Sequence, residues 1–405
     1  MRSVCVIGAG IVGCSVAYAL ARAGHAVQLI DAAPGAGLVT SYANGSQLSY
    51  SYVEPFASPA TLRMLPKMLL AADSPVRFRP RLEARQWTWG LRFMWACRPG
   101  QSVRGTRALL ELATLSRDVL DGWMAEERWD VGFAQHGKLV LCPDEATLRH
   151  QAAQVRTQAA LGGRAQQLVS PDDCRCLEPA LRHARPAWRD WAGGVWTADE
   201  AVVDSHRLCL ALAEGVRRHA GTVAFETPIE DFERRGSRIV AAVGPRGRIV
   251  ADDFVLACGP ASTALGARLG LRLPIYPIKG YSLTLPFAGD ERPRASVTHL
   301  GLKTVFAPLG DRLRVAAMAE IGGHDRTIPP DRIEAMRASV DRLYPGLCAL
   351  DAPVAWAGLR PATPDSVPIV GRWRDDANLW LDVGHGALGL TLAAGSAARL
   401  AAAMA

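Results

Sequence analysis

The first 31 residues, MRSVCVIGAGIVGCSVAYALARAGHAVQLID, restrict the fold more than any other stretch of the chain. Val4, Val6 and Ile7 read as a short buried strand, and Gly8-x-Gly10-x-x-Gly13 follows at once. Val16, Ala17 and Leu20 then recur at helical spacing, and Val27 to Ile30 run into Asp31. Gly8 permits the tight turn, Gly10 the close approach of a pyrophosphate, and Gly13 the packing of helix on strand. The helix N-terminus offers unpaired N–H groups to the phosphates. Asp31 stands at the end of the second strand, where an acid accepts hydrogen bonds from an adenosine ribose. A lone glycine motif is weak evidence, but here strand, helix, second strand and terminal acid agree. These residues predict a Rossmann-type dinucleotide site, with Ile11, Val12 and Ala32 as flanking contacts.

The choice between NAD and FAD falls to distal segments, which favour FAD. Ser41, Ala43, Asn44, Gly45, Ser46 and Gln47 follow the second strand with small groups and amides suited to a chain running along the pyrophosphate towards a flavin ring. The stretch 219–229 reads as helix end, strand and turn, closing at Ile229. A buried strand in 252–262 ends in a small-residue turn, giving Ala257 and Gly259 as further contacts. Residues 378–405 read as strand, glycine turn and apolar helix, so that Gly384, His385, Gly386, Leu388, Gly389, Leu390 and Thr391 present a helix N-terminus. Its positive dipole end would stabilise negative charge on a reduced ring.

Length and charge narrow the function. A chain of 405 residues, 49% hydrophobic and 21% charged, predicts two interlocked domains with room for a large ligand. The net charge of +7 comes from basic residues that read as scattered, which argues against nucleic acid and leaves an anionic substrate or acidic lipid. Nine cysteines, an odd number without a CxxC pair or zinc-ligand spacing, predict reduced thiols, no metal site and a cytoplasmic setting. The N-terminus reads as strand rather than signal peptide, and no stretch reads as a membrane-spanning helix.

Five stretches carry a resemblance: SYANGSQLS (41–49), PIYPIKGYSLTLP (274–286), RLRVAAMAEIGG (312–323), GLRPATPDSVPIVG (358–371) and GHGALGLTLAAGSA (384–397). In this order, over essentially the whole chain, they resemble the FAD-dependent amine and amino-acid oxidoreductases that include D-amino-acid oxidase, glycine oxidase and sarcosine oxidase. The likeness is strongest to the bacterial D-amino acid dehydrogenases.

The resemblance implies an α/β fold in which a glutathione-reductase-like Rossmann FAD domain interleaves with an α+β substrate domain built on a mixed, largely antiparallel sheet. The expected division is 1–50, 204–272 and 355–405 for the FAD domain, and 51–203 and 273–354 for the substrate domain. Strand candidates in the latter are 137–142, 193–197, 281–285, 303–308 and 313–319, with helical patterns over 61–129 and 331–344.

By the same resemblance Arg360, in Gly-x-Arg-Pro, grips the substrate carboxylate beside the flavin, a role suited to a planar, permanently charged fork. An ion pair with Asp365 or another acid of the same turn is the structural alternative. The implied reaction is hydride transfer from Cα of a D-amino acid to flavin N5, then hydrolysis of the imine to a 2-oxo acid and ammonia. Electrons would pass to a quinone or another respiratory acceptor. His385, Lys303, Lys279 and Tyr281 occupy stretches leading towards the cleft. No His or Cys matches a covalent attachment point, so the FAD is expected to be noncovalent.

Two departures leave the substrate open. Residues 49–56, SYSYVEPF, carry Glu54 where the dehydrogenases show no acid, and 197–208 look closer to the oxidase branch. A glycine-, D-proline- or hydroxyproline-type oxidase using oxygen therefore stands as an alternative, as does a noncatalytic flavoprotein subunit. If 49–56 is extended, Tyr50, Tyr52 and Glu54 share a face. The tyrosines would then supply hydrogen bonds in the cleft and Glu54 a partner for a cationic side chain. Residues 85–100, RQWTWGLRFMWACRPG, read as a helix that either packs aromatics in the core or lies in a membrane interface, the latter on the inner face of the cell membrane.

Overall fold

The computed structural model describes residues 1–70, 76–373 and 376–405. The strand Ser3–Ile7 sits near the centre of a six-stranded sheet, flanked by Ala26–Ile30 and Thr222–Ala224 on one side. On the other side lie Asp253–Leu256, Leu379–Val383 and Ile369–Arg372. All neighbours are parallel except the last pair, where Ile369–Arg372 runs antiparallel along the edge. Strands buried on both faces are largely apolar, as in parallel sheets generally, with Asp253 and Asp382 as buried exceptions. Val4 and Val6 point to one face, beneath the helices Ile11–Arg22, Ser205–Arg218 and Gly389–Met404. Cys5 and Ile7 point to the other, against Ile239 and Ala242 of a three-stranded antiparallel meander.

The second sheet is mixed and mostly antiparallel, in the order Val354–Ala362, Tyr276–Pro286, Arg312–Ile321, Thr304–Leu309, Ser296–His299, Lys138–Cys142, Gly193–Thr197 and Gln167–Val169. Its parallel contacts are Ser296–His299 with Lys138–Cys142, and Val76–Phe78 with Arg312–Ile321. Period-two alternation divides its residues. Leu283, Leu285, Leu313 and Val315 pack under the helix Pro330–Leu343, which contributes Met336, Val340 and Leu343. Ser282, Val305 and Ala316 line a cavity instead.

Three expectations need correction. Residues 355–362, expected in the dinucleotide unit, fall in the strand Val354–Ala362, which pairs along its length with Tyr276–Pro286 and belongs to the mixed sheet. Conversely, the helix Pro99–Glu127 lies in a segment assigned to the substrate unit. It buries Leu109, Leu112 and Ala113 with Leu392 and Ala393 of the C-terminal helix, because its apolar stripe matches theirs. Finally, Gly386–Met404 is long and apolar enough to cross a membrane, which the sequence reading missed. More than half of that helical stretch is buried inside the protein, so its apolarity serves the core.

Candidate active site

The C-terminal ends of the parallel strands open into one continuous cavity of about 1760 Å³ that reaches under the mixed sheet. That exceeds the roughly 300–1,000 Å³ of ordinary small-molecule pockets and leaves space for a dinucleotide and a small substrate together. Of the expected cofactor contacts, Gly8, Gly10, Ile11, Val12, Asp31, Ala32, Ser41, Ala43, Asn44, Gly45, Ser46, Gln47, Ile229, Ala257 and Gly259 line it. So do Arg360, Gly384, His385, Gly386, Leu388, Gly389, Leu390 and Thr391. Gly13 does not line the cavity. A Cβ there would stand 1.7 Å from the Gly8 carbonyl oxygen, so Gly13 serves helix-on-strand packing alone.

The dinucleotide end is a cradle of backbone. Gly8 has φ +112°, and a Cβ on it would come within 2.6 Å of the Ala257 carbonyl oxygen. Asp31 accepts from Ala9 N–H at 2.6 Å and Ala33 N–H at 2.7 Å, tying the glycine turn to the end of the second strand. Each carboxylate oxygen retains a lone pair for a ribose hydroxyl. Ser41 Oγ accepts from Ile11 N–H at 3.0 Å at the start of the first helix. The 41–47 segment is fastened to the mixed sheet from beneath: Arg314 Nη1 donates to the Asn44 carbonyl at 2.9 Å and Ser282 Oγ to that of Ala43 at 2.5 Å.

At the third corner, His385 is buried with Nε2 3.2 Å from Ser396 Oγ and 3.3 Å from Asp382 Oδ1. Among the described residues neither Asp382 oxygen has a hydrogen-bond partner, which leaves an acceptor group beside the cavity for a bound hydroxyl.

Arg360 sits on the strand Val354–Ala362, opposite Ile278. Two neighbours fix its guanidinium. Gly280 leaves the room: a Cβ there would stand 2.2 Å from Nη2. Across from Gly280 the pairing slips, so that Met318 and Ala319 both face the single residue between Lys279 and Tyr281. Met318 takes φ +67°, and its carbonyl accepts from Arg360 Nη1 at 3.1 Å. Such a bulge re-aims groups near a site. Among the described residues no carboxylate pairs with Arg360, and Asp365 instead accepts from Val367 N–H at 3.2 Å. Burial, with no compensating charge, pushes the guanidinium below its ordinary value. A desolvated cation with free donors is an anion site.

Lys303, at φ +50°, also lines the cavity, and burial alone lowers its ammonium. Tyr281 lines the cavity too, whereas Lys279 turns away to Asp325 at 3.3 Å. Tyr52 lies in the wall with its ring 4.5 Å from Lys138 Nζ, and burial raises its phenol.

Tyr50 corrects an expectation. It lies in the helical core with Arg117 6.0 Å from its ring, outside the cavity, because 49–56 is not a regular strand. The N–H groups of Ser51 and Tyr52 donate to the buried Glu200 carboxylate at 2.8 and 3.3 Å instead of to a sheet neighbour. Glu54 does reach the cavity wall, with its carboxyl raised by burial and accepting from Gln154 at 3.3 Å. Sequence reasoning missed Gly280, Met318, Asp382 and Arg326, all of which line the cavity. Gly280, Met318 and Asp382 are placed by pairings between distant strands and Arg326 by the loop after Arg312–Ile321.

Residues 3–404 match the family of FAD dependent oxidoreductases. The chain belongs to that family. FAD is therefore the dinucleotide that the glycine cradle, the two helix N-termini and the orphan Asp382 acceptor fit. Among curated relatives, D-amino acid dehydrogenase 2 of Pseudomonas aeruginosa is 43% identical, covering 99% of this chain and 94% of its own length. D-amino acid dehydrogenase 2 of Ralstonia nicotianae is also 43% identical, covering 98% and 95%. Among solved structures, glycine oxidase from Bacillus cereus superposes with a TM-score of 0.76 at 19% identity, covering 99% of this chain and 94% of that one. L-proline dehydrogenase from P. horikoshii superposes with 0.77 at 16%, covering 98% and 92%. This FAD-dependent oxidoreductase thus shares their fold, a Rossmann-like FAD unit joined to a mixed sheet.

Proposed function

We propose that this FAD-dependent oxidoreductase deaminates a D-amino acid to its 2-oxo acid and ammonia. The observation that carries the reading is Arg360: a part-buried guanidinium with no counter-ion among the described residues, in the same cavity as the dinucleotide cradle. The similarity to D-amino acid dehydrogenases over nearly the whole chain supports it.

Arg360 binds the substrate carboxylate through its free N–H groups and so fixes the orientation of Cα, while the Met318 carbonyl and the gap at Gly280 hold the guanidinium in place. Lys303 adds positive charge to the same wall. Apolar groups such as Val305, Ala316 and Met318 exclude water from the reacting carbon. Bound FAD supplies the capacity to accept two electrons from Cα–H. The substrate leaves as an imino acid, and water adds to the C=N bond to release ammonia.

A respiratory acceptor such as a quinone, reached from the inner face of the cell membrane, is the finer reading. Protein carrying noncovalent FAD tests it. Anaerobic addition of D-amino acids should bleach the flavin absorbance while the L-enantiomers do not, and a soluble quinone should restore the colour faster than oxygen. Bleaching by glycine or secondary amines with rapid oxygen consumption would instead identify an oxidase, and no bleaching by any amine would overturn the proposal.

A further inference from the structure

The helix Ala84–Ala96 has two apolar faces. Its inner face, Trp89, Phe93 and Ala96, packs on Tyr276, Ile278 and Ala362. Its outer face carries Trp87, Leu91, Met94 and Trp95, spaced as i, i+4, i+7 and i+8, with 52%, 65%, 44% and 51% of their surfaces exposed. Leu82, just before the helix, is fully exposed. An exposed apolar stripe of this kind marks an interaction surface.

Charge identifies the occupant. Residues 76–107 hold eight arginines and one acid, Glu83, contrary to the scattered distribution expected, although Arg77 and Arg79 are paired with Asp331 and Glu320. Arg85, Arg92, Arg98 and Arg104 within it are exposed. A second copy meeting this face about a two-fold axis would set these cations against their own counterparts, which is unfavourable. An anionic bilayer presents the opposite charge over apolar depth, matching an amphipathic helix with aromatic groups on one side and arginines around them.

We infer that the outer face of Ala84–Ala96 is a docking surface for an anionic lipid bilayer, with Trp87, Leu91, Met94 and Trp95 entering the headgroup boundary. The consequence follows from the inner face. Phe93 packs on Phe56 with ring centroids 5.3 Å apart, and Phe56 lines the cavity, so an acceptor dissolved in the bilayer would lie one helix away from the site. Exposure and charge define this surface whatever the substrate.

Flotation of the FAD-loaded protein with vesicles of phosphatidylcholine, with and without phosphatidylglycerol, tests it. The protein should float only with the anionic vesicles, and binding should weaken at least about tenfold in high salt. The triple variant Trp87→Ser/Leu91→Ser/Trp95→Ser should remain in the pellet yet keep dye-linked turnover, as should Arg92→Gln/Arg98→Gln, which leaves the apolar face intact. Flotation of both variants like the parent, equal binding to neutral vesicles, or a concentration-dependent oligomer abolished by the triple variant would overturn the inference. Loss of D-amino acid turnover in the parent would overturn the catalytic reading and leave the flotation result legible.

Discussion

Replacing Arg360 by methionine should move activity and stability in opposite directions. Among the described residues the guanidinium has one hydrogen bond, 3.1 Å to the Met318 carbonyl, and no anionic partner. Its buried charge is therefore a cost to the substrate-free protein, and methionine fills the space of the stem without that charge. Exchanging buried charge for well-packed apolar volume is neutral or stabilising, here by up to about 2 kcal/mol. With substrate the sign reverses. Two hydrogen bonds between the fork and a carboxylate, each about 1.5–3 kcal/mol for charged partners, sum to about 3–6 kcal/mol, a loss of roughly 10²–10⁴-fold in kcat/KM. Arg360→Lys keeps the charge but not the fork and should fall between. The assays are dye-linked turnover across a D-amino acid series and thermal unfolding of the same FAD-loaded preparations. Flavin content should be unchanged. If Arg360→Met lowers stability by several kcal/mol while kcat/KM survives, the guanidinium is a structural ion and the carboxylate role fails.

Other substitutions probe the same wall. Gly280→Ala inserts a Cβ 2.2 Å from Arg360 Nη2, so it should swing the guanidinium aside and raise KM about tenfold or more with little loss of stability, read by steady-state kinetics and unfolding together. Burial lowers the Lys303 ammonium from its usual 10.5, so affinity for a carboxylate inhibitor should decline on the alkaline side before an exposed lysine would lose its proton; Lys303→Met should flatten that limb of the inhibition–pH profile. His299 is held neutral at about 4 instead of 6.5 by burial, its Nδ1 accepting from Leu302 N–H at 3.2 Å. As pH falls the unfolded chain takes this proton first, so stability present above 6.5 should be lost progressively down to about 4, by up to about 3 kcal/mol, and denaturant titrations of His299→Asn should lack this component. Glu54→Gln should cost about 1–3 kcal/mol in kcat/KM for D-arginine or D-lysine and little for D-alanine if the carboxylate meets a cationic side chain; equal effects on all three refute that pairing.

The dinucleotide half was legible because its signals are local. Strand, turn, helix and acid follow one another within 31 residues, so the motif is complete in sequence even though Gly8 is confined by Ala257, far along the chain. The carboxylate grip was legible only in part. Arg360 stood out as a lone cation among apolar neighbours, but nothing near it in sequence announces Gly280 or Met318, since both act through the register of Tyr276–Pro286 against its two neighbours and a bulge in one of them. Tyr50 failed for a related reason. Period-two reasoning requires a strand, and the backbone donors at Ser51 and Tyr52 that would have made one are taken by Glu200, about 150 residues away.

The segment 85–100 shows a different limit. Its aromatics supported either a core helix or an interfacial one, and the two were set against each other as if one stripe had to choose. The structure has both: Gln86, Trp89, Phe93 and Ala96 turn inward, while Trp87, Leu91, Met94 and Trp95 turn outward. The two apolar series lie about half a turn apart, so apolar residues recur on opposite sides of one helix and no single stripe can be read off their spacing. Only the packing of the inner series on Tyr276 and Ile278 separates them, and that packing is set by the mixed sheet. The arginines were similarly hidden: spread over 32 residues they look diffuse in sequence, yet Arg85, Arg92, Arg98 and Arg104, in and just after this helix, are exposed, so their common sign acts on whatever approaches it.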